Sequence, residues 1–305
     1  MFWDKVKDGF HIMGHSLKFA LRHPWMLVPF FLAWFLYGAA AIYAQMIIDF
    51  EALTTVELLL VAYVIYVIFT TLVSIASLIL LELLEQQEDT GKMNIFKAIK
   101  DAFVYDLYKT IPVILGWALI KVGILLIRVL ANAAKGKNNR STFLSRAIDR
   151  WADRIDKGTR LIIFLILPGI ALDDRSTKDA YQTGVSLFKG QFATVLSGYG
   201  LSSALNLVLF LPVFAFLAVL YFVQTVPDWA IYTLIAYLGI SWSFGLLVEQ
   251  LFCGELYIWY SRVTKKAQEA KANHTSLHGI GSNSKPDYLK GLMSDDPFAK
   301  YDTMD

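Results

Sequence analysis

The sequence has little charge and almost no cysteine, and both shortages restrict what the protein can be. Charged residues make up only 18% of the 305 residues, whereas apolar residues make up 56% and aromatic residues 14%. A chain of this composition is typical of a protein whose surroundings are mostly lipid rather than water. The single cysteine, Cys253, lies within an apolar run, so a disulfide framework within the chain is excluded.

The sequence also lacks a basic excess and the short motifs of common enzyme classes. Its net charge of +2 argues against a nucleic-acid partner, because the basic residues are balanced by acids and fall at the ends of apolar runs. We find no Gly-rich phosphate loop, no Gly-x-Ser-x-Gly elbow and no His-Glu-x-x-His pair. We therefore expect neither an enzyme nor a bound cofactor.

Long apolar runs are the main positive feature of the sequence. The run from Trp25 to Ile48 is uncharged and 24 residues long, which exceeds the apolar region of a signal peptide and predicts a transmembrane span. Runs at 56–81, 191–223 and 229–260 predict three more spans. Lysine and arginine flank these four spans on one side only, so the positive-inside rule places both termini in the cytoplasm.

Two further runs, 111–130 and 161–172, leave the number of spans open. The first has Lys121 at its centre, but its thirteen Leu, Ile and Val residues still favour insertion. The second corresponds to about 18 Å of helix, which is shorter than a hydrocarbon core of about 30 Å. To span the membrane, it needs residues from the basic segment before it. Because both termini are predicted to be cytoplasmic, either both runs cross the membrane or neither does. The alternatives are six transmembrane helices, which we favour, and four plus a re-entrant hairpin.

A suspected internal repeat favours six spans. In each of its three copies a basic amphipathic helix precedes an apolar hairpin of two spans, and the hairpins begin near Pro24, Thr110 and Gln191. Such helices lie on the membrane surface. The apolar face of the first copy is predicted to contain Phe2, Val6, Phe10, Met13, Leu17 and Leu21. The polar face is predicted to contain Asp4, Asp8, His11, His15, Lys18 and Arg22.

The predicted fold class is all-α, a polytopic integral membrane helix bundle with interfacial amphipathic helices. Residues 1–23 are predicted to form an interfacial amphipathic helix and residues 24–262 the transmembrane helical domain. Residues 263–305 are polar and lose apolar periodicity, which predicts a disordered cytoplasmic tail. We expect a multi-pass protein of the cell (inner) membrane.

Three short segments resemble one group of membrane proteins. They are FALRHPW at 19–25, ILPGIALDD at 166–174 and AYQTGVSLFK at 180–189. Over about residues 10–260 the chain resembles a functionally uncharacterised group of six-span prokaryotic inner-membrane proteins. The resemblance implies a six-helix membrane architecture and no particular chemistry. The long basic connection at 131–160 departs from the usual pattern of the group.

Few residues qualify as candidates for a functional site. Lys121 and Glu249 are ionisable residues within apolar runs, where a charge is costly unless it is paired or has a function. Asn206 is the deepest member of a strip of polar residues that could line a cavity. His11 and His15 share one helical face and are a weak metal candidate, although the ordinary interpretation is a polar face exposed to water.

The favoured functional hypothesis is a non-enzymatic membrane component that organises lipid or a partner protein through its surface helices and tail. The alternative is a transporter or lipid-handling protein with a polar cavity around Lys121 and Asn206. Expected partners are the lipid bilayer and, as further candidates, a protein docked on the C-terminal tail or surface helices, or a second copy of the chain. A nucleic-acid partner is not expected.

Overall fold

The computed structural model describes residues 2–133, 142–222 and 227–273, and these residues are helical without β-strands. The described residues form nine α-helices: α1 (Phe2–Arg22), α2 (Val28–Ile47), α3 (Thr55–Thr90), α4 (Ile95–Asp101), α5 (Leu107–Ala133), α6 (Thr142–Ala171), α7 (Thr177–Gly190), α8 (Phe192–Phe222) and α9 (Asp228–Ala272). A 3₁₀ turn (Pro24–Leu27) leads into α2, and a π-helical turn (Ala102–Asp106) joins α4 to α5.

Five of the described helical segments are long and apolar enough to cross a membrane, and they lie at 24–47, 55–88, 95–130, 192–218 and 229–272. This finding confirms the prediction of an all-α protein with several membrane-length helices. Helix α6 is not among the five, because charged residues in its first half lower its apolar content. Helix α9 continues to Ala272, ten residues into the predicted tail, and residues 274–305 lie outside the described residues.

The ends of α3 show how local sequence sets helix boundaries. The Thr54 hydroxyl accepts a hydrogen bond from the Glu57 backbone N–H at 3.4 Å, and the Glu57 carboxylate accepts one from the Thr54 N–H at 2.8 Å. This capping box satisfies two amide groups that the first turn leaves unpaired. At the other end Gly91 adopts φ 67°, a left-handed conformation that costs glycine little and stops the helix.

The bundle has a tightly packed end and an open end. At the packed end, the second half of α3, the last third of α6 and the middle of α9 bury one another. The buried side chains there include Leu80, Leu81, Phe164, Leu165, Leu167, Leu251, Leu256 and Trp259. At the open end the helices expose large apolar side chains, including Leu36, Ile42, Leu60, Val64, Leu211, Phe214, Ile231 and Ile235. An exposed apolar surface of this extent is expected where lipid covers the protein.

Helix α1 packs against α8 and α9, and its buried face differs from the predicted apolar stripe. Its Ile12 and Met13 are buried as expected of apolar residues, but Phe10 and Leu21 of the predicted stripe are exposed. The prediction that Asp8 belongs to the exposed polar face is wrong, since its exposed fraction is 1%. The reason is the close approach of α1 to α8, which small side chains allow and large ones prevent.

Candidate functional site

Glu249 on α9 is the centre of a polar cluster between α6, α8 and α9. Its Oε1 accepts hydrogen bonds from Ser202 Oγ at 2.9 Å and from Asn206 Nδ2 at 3.5 Å, both on α8. Arg160 on α6 donates to the same oxygen at 3.1 Å and to the Tyr199 hydroxyl at 3.4 Å. Glu249 is buried, so the negative charge is held by these donors rather than by water.

Glycines on the two long helices allow this cluster to form. A Cβ atom at Gly245 would lie 2.1 Å from Asn206 Oδ1, and one at Gly198 would lie 2.2 Å from the Phe252 ring. A larger residue at either position would therefore require the Asn206 side chain or the Phe252 ring to move. Small residues at these two positions let α8 and α9 approach closely enough for Asn206 to reach Glu249.

The structure brings two of the three predicted site residues together and places the third elsewhere. Asn206 and Glu249 share a hydrogen bond, whereas Lys121 on α5 forms an ion pair with Asp156 on α6. Arg128 pairs with Asp153 farther along the same two helices, about two turns from Lys121 on α5 and one turn from Asp156 on α6. Lys121 is therefore part of a row of ion pairs that joins α5 to α6.

Arg160 is the residue of this cluster that sequence reasoning missed. It follows a run of basic residues that the sequence suggests are solvated, and its partner is 89 positions away. Its one sequence signal is its place directly before the apolar run at 161–172. Chemically, the cluster is an ion pair with neutral donors that ties three helices together, and among the described residues the buried Arg160 Nε has no acceptor.

The two candidate metal ligands on α1 have different surroundings. His15 Nδ1 lies 2.9 Å from Glu255 Oε1, and Ser16 Oγ donates to Glu255 Oε2 at 3.0 Å. His11, one turn before His15, is exposed. Within the described part of the chain, no group of three or more His, Cys, Asp or Glu side chains is arranged to hold a metal ion. His15 and Glu255 instead join α1 to α9.

A second polar network surrounds Asp173 in the turn between α6 and α7. Its carboxylate accepts hydrogen bonds from Tyr257 at 2.8 Å, Ser261 at 3.0 Å and Lys265 at 2.9 Å, all on α9, and pairs with Arg175. Burial alone would raise the pKa of Asp173, but these donors outweigh it and hold that pKa below its ordinary value. The network fixes the start of α7 relative to α9.

A lateral groove of about 570 Å³ opens between α5, α6 and α7, and the sequence did not predict it. Its walls include Trp117 on α5 and Ile163 and Ile166 on α6, so most of its length is apolar. Its end on α7 is polar, with Lys178 and Tyr181. A second groove, of about 420 Å³ between α2 and α3, contains no charged residue. Only the first of these two grooves therefore combines an apolar trough with a cationic end.

The comparisons with known proteins leave this geometry as the basis for a functional assignment. No family model matches the chain, and no curated protein or solved structure is significantly similar to it.

Proposed function

We propose that the protein is a non-enzymatic, multi-pass membrane component that organises lipid by binding it in the groove between α5, α6 and α7. The groove is the observation that carries this proposal. Its volume lies within the range of about 300–1,000 Å³ that is common for small-molecule sites, and its lining is mostly apolar with a few polar groups. A lipid acyl chain in a bilayer matches that combination.

The polar end of the groove lies beside aromatic side chains that suit a headgroup region. The Thr177 hydroxyl donates to the Lys109 carbonyl at 2.6 Å, which places the start of α7 next to the exposed Tyr108. Tyr181, at the end of the groove, is also exposed. Tyrosine is enriched at the boundary between hydrocarbon and headgroups, so this end of the groove suits a lipid headgroup.

We further propose six spans, with α6 as the sixth, and with the packed end and both termini on the cytoplasmic side. Helix α6 is one continuous helix of 30 residues, about 45 Å long, and its last third is buried in the bundle. Its ion pairs with α5 and α9 neutralise charges that would otherwise oppose insertion. The transporter alternative has less support, because Lys121 and Asn206 contact different acids.

The six-span topology predicts that the first half of α6 reaches the far side of the membrane. Cysteine at the exposed position Arg150, in a Cys253→Ala background, is expected to react with an impermeant thiol reagent applied to intact cells. Glu51→Cys, in the exposed turn between α2 and α3, serves as the positive control. Labelling of Arg150→Cys only after lysis, with Glu51→Cys labelled in intact cells, would contradict six spans.

The lipid-binding proposal predicts that filling the groove lowers lipid occupancy. Gly116 lines the groove, and a Cβ there meets no atom within 4 Å, so Gly116→Leu adds volume to the groove without a clash at Cβ. We expect this variant to retain several-fold less co-purified phospholipid than the wild type, measured by native mass spectrometry after mild delipidation.

Gly123→Leu is the matched control for this experiment. Gly123 lies on the same helix and also has open space around a Cβ, but it does not line the groove. Its lipid occupancy is expected to equal that of the wild type. Equal occupancy in the two leucine variants would show that the groove does not hold the retained lipid.

A further inference from the structure

Two acidic side chains, Glu82 on α3 and Asp106 in the π-helical turn, contact each other in the interior of the bundle. Their exposed fractions are 8% and 3%, and their carboxyl groups are hydrogen-bonded to each other. Among the described residues, no N–H or hydroxyl group donates to Asp106 Oδ2. Ionised carboxylates only accept hydrogen bonds, so two of them cannot bond to each other. The contact therefore requires one proton, which makes one carboxyl the donor and the other the acceptor.

The charges around this carboxyl pair favour retention of that proton. Three further acids act on the pair from α3, α4 and the turn between α6 and α7, and they are Glu85, Asp101 and Asp174. Lys109 on α5 acts in the opposite direction, but it also forms an ion pair with Asp174. A second negative charge on the pair would be buried next to the first, and it would lack a cation of its own.

The position of the pair gives it access to cytoplasmic protons. In the proposed topology α3 enters the hydrocarbon near Val56, and Glu82 lies about 39 Å of helix farther along. A hydrocarbon core of about 30 Å ends before that point. The pair therefore lies at the level of the cytoplasmic headgroups, where a proton can exchange with water.

The backbone that carries Asp106 can adopt a second arrangement. In the π-helical turn the Leu107 N–H donates to the Ala102 carbonyl, five residues back instead of four. Conversion of this turn to α-helix would change the helix register by one residue and rotate Asp106 by about 100°. Such a rotation would take its carboxyl group away from Glu82. π-Helical turns within longer helices are often found at functional sites.

We propose that Glu82 and Asp106 form a proton-binding site that ties the π-helical turn to α3 and releases it when the proton is lost. A second polar contact joins the same elements, since the Asn94 N–H before α4 donates to Gln86 Oε1 at 2.7 Å. The proton therefore controls the end of this segment that leads into α5. The inference is independent of the lipid groove and adds a response to cytoplasmic pH.

The direction of the pH effect follows from the number of bound protons. The closed form holds one proton between the carboxyls, whereas separated carboxyls exposed to water are ionised above about pH 5. Opening thus releases a proton, and the closed form is favoured at low pH. Each pH unit over which this difference persists multiplies the equilibrium constant for opening by about ten.

Hydrogen–deuterium exchange of residues 95–107 in the purified full-length protein tests this proposal, with rates corrected for the intrinsic effect of pH. From pH 6 to pH 8.5 the wild type is expected to lose at least tenfold in protection. Asp106→Asn supplies an amide N–H that donates to Glu82 without a proton, so its protection is expected to be independent of pH. Glu82→Gln is the reciprocal variant with the same expectation. Glu269→Gln, at an exposed position on α9, is the control and is expected to behave as the wild type.

Two results would overturn the proposal. The first is an equal dependence on pH in the wild type and in both amide variants, which would show that the pair holds no proton whose loss opens the segment. The second is full protection of the wild type at pH 8.5 on addition of calcium chloride, absent from Asp106→Asn. A metal ion rather than a proton would then hold the two carboxylates together.

Discussion

Replacing Arg160 with leucine is expected to lower the free energy of unfolding by about 3–5 kcal/mol, the usual cost of removing one partner from a buried ion pair. The substitution leaves the Glu249 carboxylate buried among Ser202 and Asn206 without its cation. Neutral donors alone compensate a buried negative charge poorly. We therefore expect a large fall in the unfolding midpoint of the purified protein.

A double-mutant cycle separates the ion pair from other effects of the substitution. Arg160→Leu combined with Glu249→Leu is expected to recover most of the lost stability, because two leucines leave no uncompensated charge between the helices. Lys157→Leu, at an exposed position on the same helix, is the control and is expected to change stability by less than about 0.5 kcal/mol. A double variant no more stable than Arg160→Leu would refute the role assigned to the pair.

Replacing Gly9 with leucine is expected to displace α1 from the bundle. A Cβ at Gly9 would lie 2.0 Å from Ser197 Oγ and 2.4 Å from the Thr194 carbonyl oxygen on α8. A side chain can rotate away from such a contact, but the backbone of a packed helix cannot. We expect a loss of at least the 1–3 kcal/mol that is typical of overpacking, with weakened contacts of His15 to Glu255 farther along α1.

Gly14→Leu is the matched control on the same helix, because a Cβ at Gly14 meets no atom within 4 Å. Both variants change helix propensity equally, so any difference in stability between them is due to packing. The measurements are the unfolding midpoint and the rate of proteolysis within residues 2–22 in detergent solution. Equal behaviour of the two glycine variants would show that α1 does not pack closely on α8.

The polar cluster shows which part of a site can be found from a sequence. Asn206 and Glu249 were identifiable one at a time, because each interrupts an apolar run, where polar groups are costly. Their contact with each other was not, since it depends on the height at which α8 and α9 face one another. Arg160 was missed altogether, because it follows a basic segment and gives no local sign of a buried partner.

The first helix shows a second limit of sequence reasoning. Helical periodicity identified α1 correctly as a helix, but only part of the predicted apolar face packs against the bundle. Gly9, Ser16 and Ala20 lie on the buried face because two helices approach closely only where side chains are small. Hydrophobicity decides which surface leaves water, whereas shape decides which surface meets another helix, and in lipid the second effect dominates.

The sequence by itself determined that the protein is all-α and has several membrane-length helices, because helix length and apolar content are local properties set by the thickness and polarity of a bilayer. Only the tertiary structure decided that Lys121 pairs with Asp156, that Arg160 pairs with Glu249, and that a groove opens between α5, α6 and α7. These features join residues from separate helices, and they follow from the relative rotation and height of those helices, which small differences in packing determine.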